Sequence, residues 1–270
     1  MSAAALAQTP NVATPSPTPV AARATATPRP ASSTVNATKV ETVEQVAESV
    51  IFFYGFPGYL TNPIGRDRLN QIRKTTLERG RVSVTQPDGK VEAANYQRFV
   101  IRADNLEKER IRLDQEFPTA RYSLVFNDGK IYGVFNNTVF QPRDDASKTF
   151  ENQIVRGLEA LLRYKENGST LTLQPREKIM GVDYYVVDVT DKQGRTTRFY
   201  ASVKTFRVMM LTYEEGGVKY KRKYYDYNYA QGTLVPYRSV LWANDKVVEE
   251  TEVGTITFGQ RVDEALFASS

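Results

Sequence analysis

Apolar positions change period twice along the chain. Val43, Val46, Ala47, Val50, Ile51 and Tyr54 recur at helical intervals behind a capping-box pair, Thr38 and Glu41, and stop at Gly55. That spacing predicts an amphipathic first helix. Asn62-Pro63 is a second start signal, and Leu69, Ile72 and Leu77 follow at intervals that suit one face of a second helix. From Leu77 the period becomes two, with turn residues at Pro87-Asp88-Gly89, Asn127-Asp128-Gly129, Gln193-Gly194 and Asn244-Asp245. Ala120, Tyr122, Leu124 and Phe126 alternate with Arg121 and Ser123, and Ile111 and Leu113 with Arg110 and Arg112, so each strand presents one face to a core. A single helix interrupts the strands, with Phe150, Ile154, Leu158, Leu161 and Leu162 as its stripe within residues 145–165 and Gly168 closing it. Strands resume from Thr170 to Phe258. The expected fold is mainly β (α+β), a single curled antiparallel sheet or incomplete β-barrel of about eleven strands, with about three helices as lid or plug.

The first 38 residues differ in kind. Thr9 to Thr38 is built from Ala, Thr, Pro, Ser and Val, with Pro10, Pro15, Pro17, Pro19, Pro28 and Pro30, a composition too poor in large apolar groups to offset chain entropy. Residues 1–38 are therefore expected to form a disordered linker and residues 39–270 one folded domain. Ala5 and Ala7 flank Leu6 ahead of Gln8 as in a signal-peptide cleavage box, which predicts an exported, periplasmic location and cleavage after Ala7. Residues 1–39 also carry Arg23, Arg29 and Lys39 with no acid, +3 of the net charge of +5. The remaining +2 is not the footprint of a surface that tracks phosphates, and nucleic acid is not an expected partner. The most apolar run, Val50 to Phe56, is far shorter than the roughly 18 residues that span a bilayer, so the chain is expected not to cross a membrane by a helix.

The chain has no Cys and no His, which removes thiol nucleophiles, Ser-His-Asp triads and the common zinc sites. Carboxylates remain, and Asp183, Asp188 and Asp191 lie near one strand, but Asp191 and Asp128 sit where such side chains bond turn backbone. No phosphate loop, dinucleotide fingerprint, EF-hand loop or nucleophile elbow occurs. The expectation is a non-enzymatic protein without a cofactor or metal.

Three stretches are open to two readings each. In VKYKRKYYDYNYAQG, Lys219, Lys221 and Lys223 share a parity with Tyr225, Tyr227 and Tyr229, the mixture that stacks bases, or a strand with one wet face whose character changes halfway, as at a bulge. The apolar stretch FFYGFPGYLTNP either touches a membrane or partner, or folds back on the core. Strands 182–190 and 208–213 are apolar on both faces, as core strands or as walls of an apolar cavity. Three helices are too few to cover such a sheet. Phe99, Ile101, Tyr122, Leu124, Phe126, Tyr184, Val186 and Met210 are therefore expected to border one apolar space, partly covered by the helix bearing Phe150, Ile154 and Leu158.

From Val43 to Phe267 the pattern resembles the LolA/LolB-like lipoprotein-carrier superfamily and the related periplasmic outer-membrane lipoprotein-sorting proteins. The resemblance rests on NPIGRDRLNQIRKTTLERGRVSV, on the strand pair RYSLVFNDGKIYGVF, on GVDYYVVDVTDKQGRTTRFYAS and on the closing DYNYAQGTLVPYRSVLWANDKVVEETEVGTITFGQRVDEALF. It implies an incomplete antiparallel barrel with a helical lid around a hydrophobic cavity for lipids or the acyl chains of lipoproteins. The chain departs from that pattern in its Pro/Thr-rich tail and its basic strand at Lys219. A second reading is an envelope scaffold or protein-interaction component, with envelope proteins as partners, that keeps the fold without a lipid cavity.

Overall fold

A computed structural model describes residues 41–55, 65–86 and 88–268. The expected linker, the Thr38 cap, the loop around Asn62-Pro63 and Pro87 lie outside the described residues. The element order is α1 (Val43–Tyr54), α2 (Gly65–Ile72), β1 (Thr75–Thr85), β2 (Val91–Ile101), β3 (Arg110–Glu116), β4 (Arg121–Asn127), β5 (Lys130–Phe135), β6 (Thr138–Phe140), α3 (Asp144–Val155), α4 (Leu158–Leu162), β7 (Thr170–Ile179), β8 (Val182–Thr190), β9 (Thr196–Ser202), β10 (Val208–Glu215), β11 (Val218–Ala230), β12 (Thr233–Ala243) and β13 (Lys246–Phe258). All thirteen strands form one sheet in the order β6-β5-β4-β3-β2-β1-β13-β12-β11-β10-β9-β8-β7, antiparallel throughout, with β6 and β7 as its edges. The sheet curls but does not close. The expected count of about eleven falls short partly because β6 is three exposed residues, too brief to show alternation.

The local chemistry explains the elements. Thr42 and Gln45 form the capping box of α1, four residues past the Thr38 expected from spacing, and Val46, Ala47, Val50, Ile51 and Tyr54 are its buried face. The helix expected over 145–165 is two helices. Gly157 divides them, because a Cβ there would sit 2.6 Å from the Gln153 carbonyl oxygen and the chain reopens as the first residue of a new cap. Between β1 and β13 the register shifts at Gly80, where a Cβ would run into the Glu252 carbonyl and the Tyr96 ring. In β11, Asp226 sits at φ 53°; before it Tyr225 lies under Arg238 on the outer face, after it Tyr227 packs against α1. That residue carries the change of character expected within this strand.

Two large apolar clusters form on the helix-bearing face, beside a minor third of Ala230, Val235 and Phe258 packed with Ile72 and Ile256. The larger packs α1, α2 and α4 against Tyr185, Val187, Val189, Phe199, Leu211 and Leu234. The smaller packs α3, through Phe150 and Ile154, against Val82, Tyr96, Ile111, Leu113, Leu124 and Phe126. The outer face is covered near β3 and β4 by a C-terminal 3-10 helix, Glu264–Phe267, whose Phe267 is buried. Its last carbonyls accept hydrogen bonds from Arg112, Asn127 and Tyr132. No helix among the described residues is long and apolar enough to cross a membrane.

Candidate functional site

Between the two clusters, under the α3–α4 junction, lies a cavity of about 240 Å³. The strands at its floor are β1, β2 and β3 on one side and β10 to β13 on the other, and residues 152–159 form its roof. Its position follows from the break at Gly157. A continuous helix would bridge the two clusters, whereas the break lets α3 serve one and α4 the other.

The wall is part apolar and part charged. Val82, Val100, Ile111, Leu113, Ile154 and Leu158 form an apolar side, and five guanidinium groups and four carboxylates share the rest. Most of these charges are tied to the fold. Arg73, its side chain 8 % exposed, donates to Thr233 Oγ1 (3.1 Å), Glu159 Oε1 (2.7 Å) and the Leu234 carbonyl (2.8 Å). Arg102, 7 % exposed, donates to Glu159 Oε2 at 2.6 Å. Burial alone would raise the Glu159 carboxyl, and the guanidinium groups of Arg102 and Arg73 outweigh it and hold the pKa below its ordinary value of 4.5. Arg222 pairs with Glu249 (2.9 Å), which also accepts from Gln153 of α3 (3.0 Å). Arg156 caps the Thr196 carbonyl (3.0 Å) and stacks 4.6 Å over Tyr213, whose hydroxyl is pushed up to about 12, chiefly by burial. Tyr96 donates to Glu78 at 2.7 Å.

The structure brings only some of the expected residues together. Tyr122, Leu124 and Phe126 share the helix-bearing face with Phe150 and Ile154, and Ile154 and Leu158 line the cavity itself. Leu124, Phe126 and Phe150 are core rather than wall. Phe99 and Ile101 are on the opposite face, since Phe99 stands opposite Arg112 and Ile101 opposite Arg110, both turned to the C-terminal 3-10 helix. Tyr184 and Val186 also point outward: Val187 opposite Phe199 is the inner pair, and Tyr184 packs edge-on against Tyr200 at 6.2 Å on the outside. Met210 pairs with Tyr200 and shares its face, because a register shift between Val208 and Met210 leaves Val208 and Leu211 as the inward residues. The shared space expected of all eight strand residues is thus divided between two faces.

The arginines of the wall were not among the expected site residues. The trace they leave in the sequence is the even parity of β2 and the residue after it, where Tyr96, Arg98, Val100 and Arg102 mix apolar and charged groups. Elsewhere two of the carboxylates considered for catalysis are occupied, Asp188 by Arg198 (2.7 and 2.9 Å) and Gln174 (2.9 Å) and Asp191 by its own turn and Arg195, while Asp183 is exposed on β8. On the basic strand, Lys221 and Lys223 lie over Trp242, and Lys221 pairs with Asp245.

No protein-family model matches the chain, and no curated protein matches it in sequence. Solved structures do. A LolA superfamily protein from Nitrosomonas europaea superposes with a TM-score of 0.60 at 11% identity, over 85% of this chain and 99% of the other. A DUF1329 family protein from Desulfovibrio piger gives 0.53 at 12%, over 84% and 97%. An outer membrane lipoprotein-sorting protein domain, described as putative, from Vibrio parahaemolyticus gives 0.50 at 8%, over 75% and 92%. The chain therefore has a LolA-like fold.

Proposed function

We infer, from a LolA-like fold with an interior cavity, that this chain is a non-enzymatic carrier or binding protein for lipids or the acyl chains of lipoproteins, exported to the cell envelope. The observation that carries the reading is the cavity at the seam between the two apolar clusters, with Val100, Ile111, Leu113 and Leu158 along one side. Each methylene taken from water there contributes about 0.8 kcal/mol. At about 240 Å³ the space is smaller than ligand pockets of about 300–1,000 Å³. A long chain therefore enters as α3 and α4 lift, and Gly157 is the joint where they part.

Filling the cavity tests this. Val100 is half-buried on its wall, so Val100→Trp occupies the space from the β2 side. Wild-type protein is expected to take up a fluorescent fatty acid with micromolar affinity, and Val100→Trp to lose at least tenfold of it with an unchanged circular dichroism spectrum. Equal uptake by both proteins would place the lipid elsewhere.

The scaffold reading is supported by a different feature. The sheet ends at β6, where Phe135, Val139 and Phe140 are exposed beside unpaired strand edge, the kind of surface that accepts a partner strand. It takes precedence if the wild-type protein binds no amphiphile.

A further inference from the structure

Positive charge in the cavity exceeds what the fold uses. Arg102 spends one nitrogen on Glu159, and its Nε and Nη1 are buried with no hydrogen-bond partner although the side chain is only 7 % exposed. Arg98 makes no hydrogen bond or ion pair among the described residues, and its Nε is likewise buried without a partner. Both line the cavity, Arg98 on the inner face of β2 and Arg102 one residue past its end, where the same alternation continues. Glu159 accepts one hydrogen bond from Arg73 and one from Arg102, and none from Arg98. Glu78, across from Arg98 on β1, accepts from Tyr96 instead. Just behind, Arg163 is paired with Glu109, yet its pKa falls to about 10, first through burial and then through repulsion from Arg102. Guanidinium donors buried without acceptors are costly, and the ordinary remedy is an anion with several acceptor oxygens.

Apolar wall adjoins these donors directly. Leu113 stands opposite Arg98 on β3, and Val100, two residues along β2, stands opposite Ile111. A group held at Arg98 and Arg102 thus has a chain-sized apolar surface beside it.

We propose that Arg98 and Arg102 form an anion subsite that holds the carboxylate or phosphate headgroup of an amphipathic ligand whose chain lies along Val100, Ile111 and Leu113. The proposal rests on the carrier reading and adds to it the ligand's charge and orientation. Arg73 positions Glu159, and through it Arg102, and each of its three nitrogens already makes a hydrogen bond within the fold.

The test compares dodecanoate, dodecanol and inorganic phosphate as competitors of a fluorescent fatty acid on the full chain. Wild-type protein is expected to prefer dodecanoate over dodecanol by on the order of tenfold or more. In Arg98→Gln that ratio is expected to fall toward one, and in Arg98→Lys to be partly kept. Because Arg98 makes no structural hydrogen bond, the variants are expected to melt with the wild type; should Arg98→Gln misfold, the wild-type ratio and Arg98→Lys still decide the matter. Equal binding of the two amphiphiles to wild-type protein overturns the headgroup subsite while leaving the carrier reading intact. Binding of neither defeats the carrier reading and the subsite with it. Displacement of the probe by phosphate as readily as by dodecanoate overturns the lipid assignment in favour of a free anion.

Discussion

Phe150→Ala is expected to lower the free energy of unfolding by about 3–5 kcal/mol. Phe150 is 2 % exposed, and it and Ile154 are the only buried residues of α3, whose other positions face outward or are half-buried. Truncation removes one of two anchors and leaves a void against Leu124 and Phe126, in a cluster that otherwise receives from helical segments only Leu106 of a short 3-10 turn and Val155 among the described residues. The same change loosens the roof of the cavity, and on the proposed carrier reading ligand exchange is expected to quicken as stability falls. A conservative Phe150→Leu is expected to cost about 1 kcal/mol. Urea titration followed by fluorescence measures both; a loss below about 1 kcal/mol for Phe150→Ala would mean that α3 is held by something other than this contact.

Glu159→Gln has the second large effect. Its carboxylate is the acceptor shared by Arg73 and Arg102, which are less than a tenth exposed and would be left as buried cations with a poor partner. Breaking a buried ion pair by removing one member costs about 3–5 kcal/mol, and with the Glu159 side chain 34 % exposed the expected loss is about 2–3 kcal/mol after solvent screening. The pH dependence has a definite sign. The folded-state pKa of Glu159 lies below 4.5, so its contribution is fully present above 4.5 and is lost as pH falls through the depressed value. Glu159→Gln should be destabilised at pH 7, and its stability should fall less steeply than that of the wild type under acid. Parallel acid limbs would contradict the role assigned to this carboxylate.

The legible parts of the fold were those whose two faces differ in polarity. The α1 stripe from Val46 to Tyr54 and the β4 alternation of Tyr122, Leu124 and Phe126 each identify their buried side without knowledge of the partner. Strands apolar on both faces were not legible in this way. In β8, Tyr184 and Val186 look as apolar as Tyr185 and Val187, and only pairing with β9 decides which set faces the helices. In β2 the apolar rule pointed the wrong way. Phe99 and Ile101 are the bulky pair, but they face the terminal 3-10 helix, whereas the interior takes Tyr96, Arg98, Val100 and, just past the strand's end, Arg102 because a partly charged cavity lies there. Met210 was displaced by a bulge, a one-residue event without a local signature among Val208, Met209, Met210 and Leu211. The site's arginines stayed hidden for a related reason: their partners Glu159, Thr233 and Leu234 are distant in sequence, and nothing local marks a long-range ion pair.

The claim that the seam between the two apolar clusters is a ligand site is tested most directly by native mass spectrometry of the full-length protein, purified without detergent from a lipid-containing host. The account predicts a population carrying adducts of lipid mass that are acidic in extracts, present in the wild type and absent from Val100→Trp. Wild-type protein that is free of adducts, and stays free after incubation with dodecanoate, would contradict it.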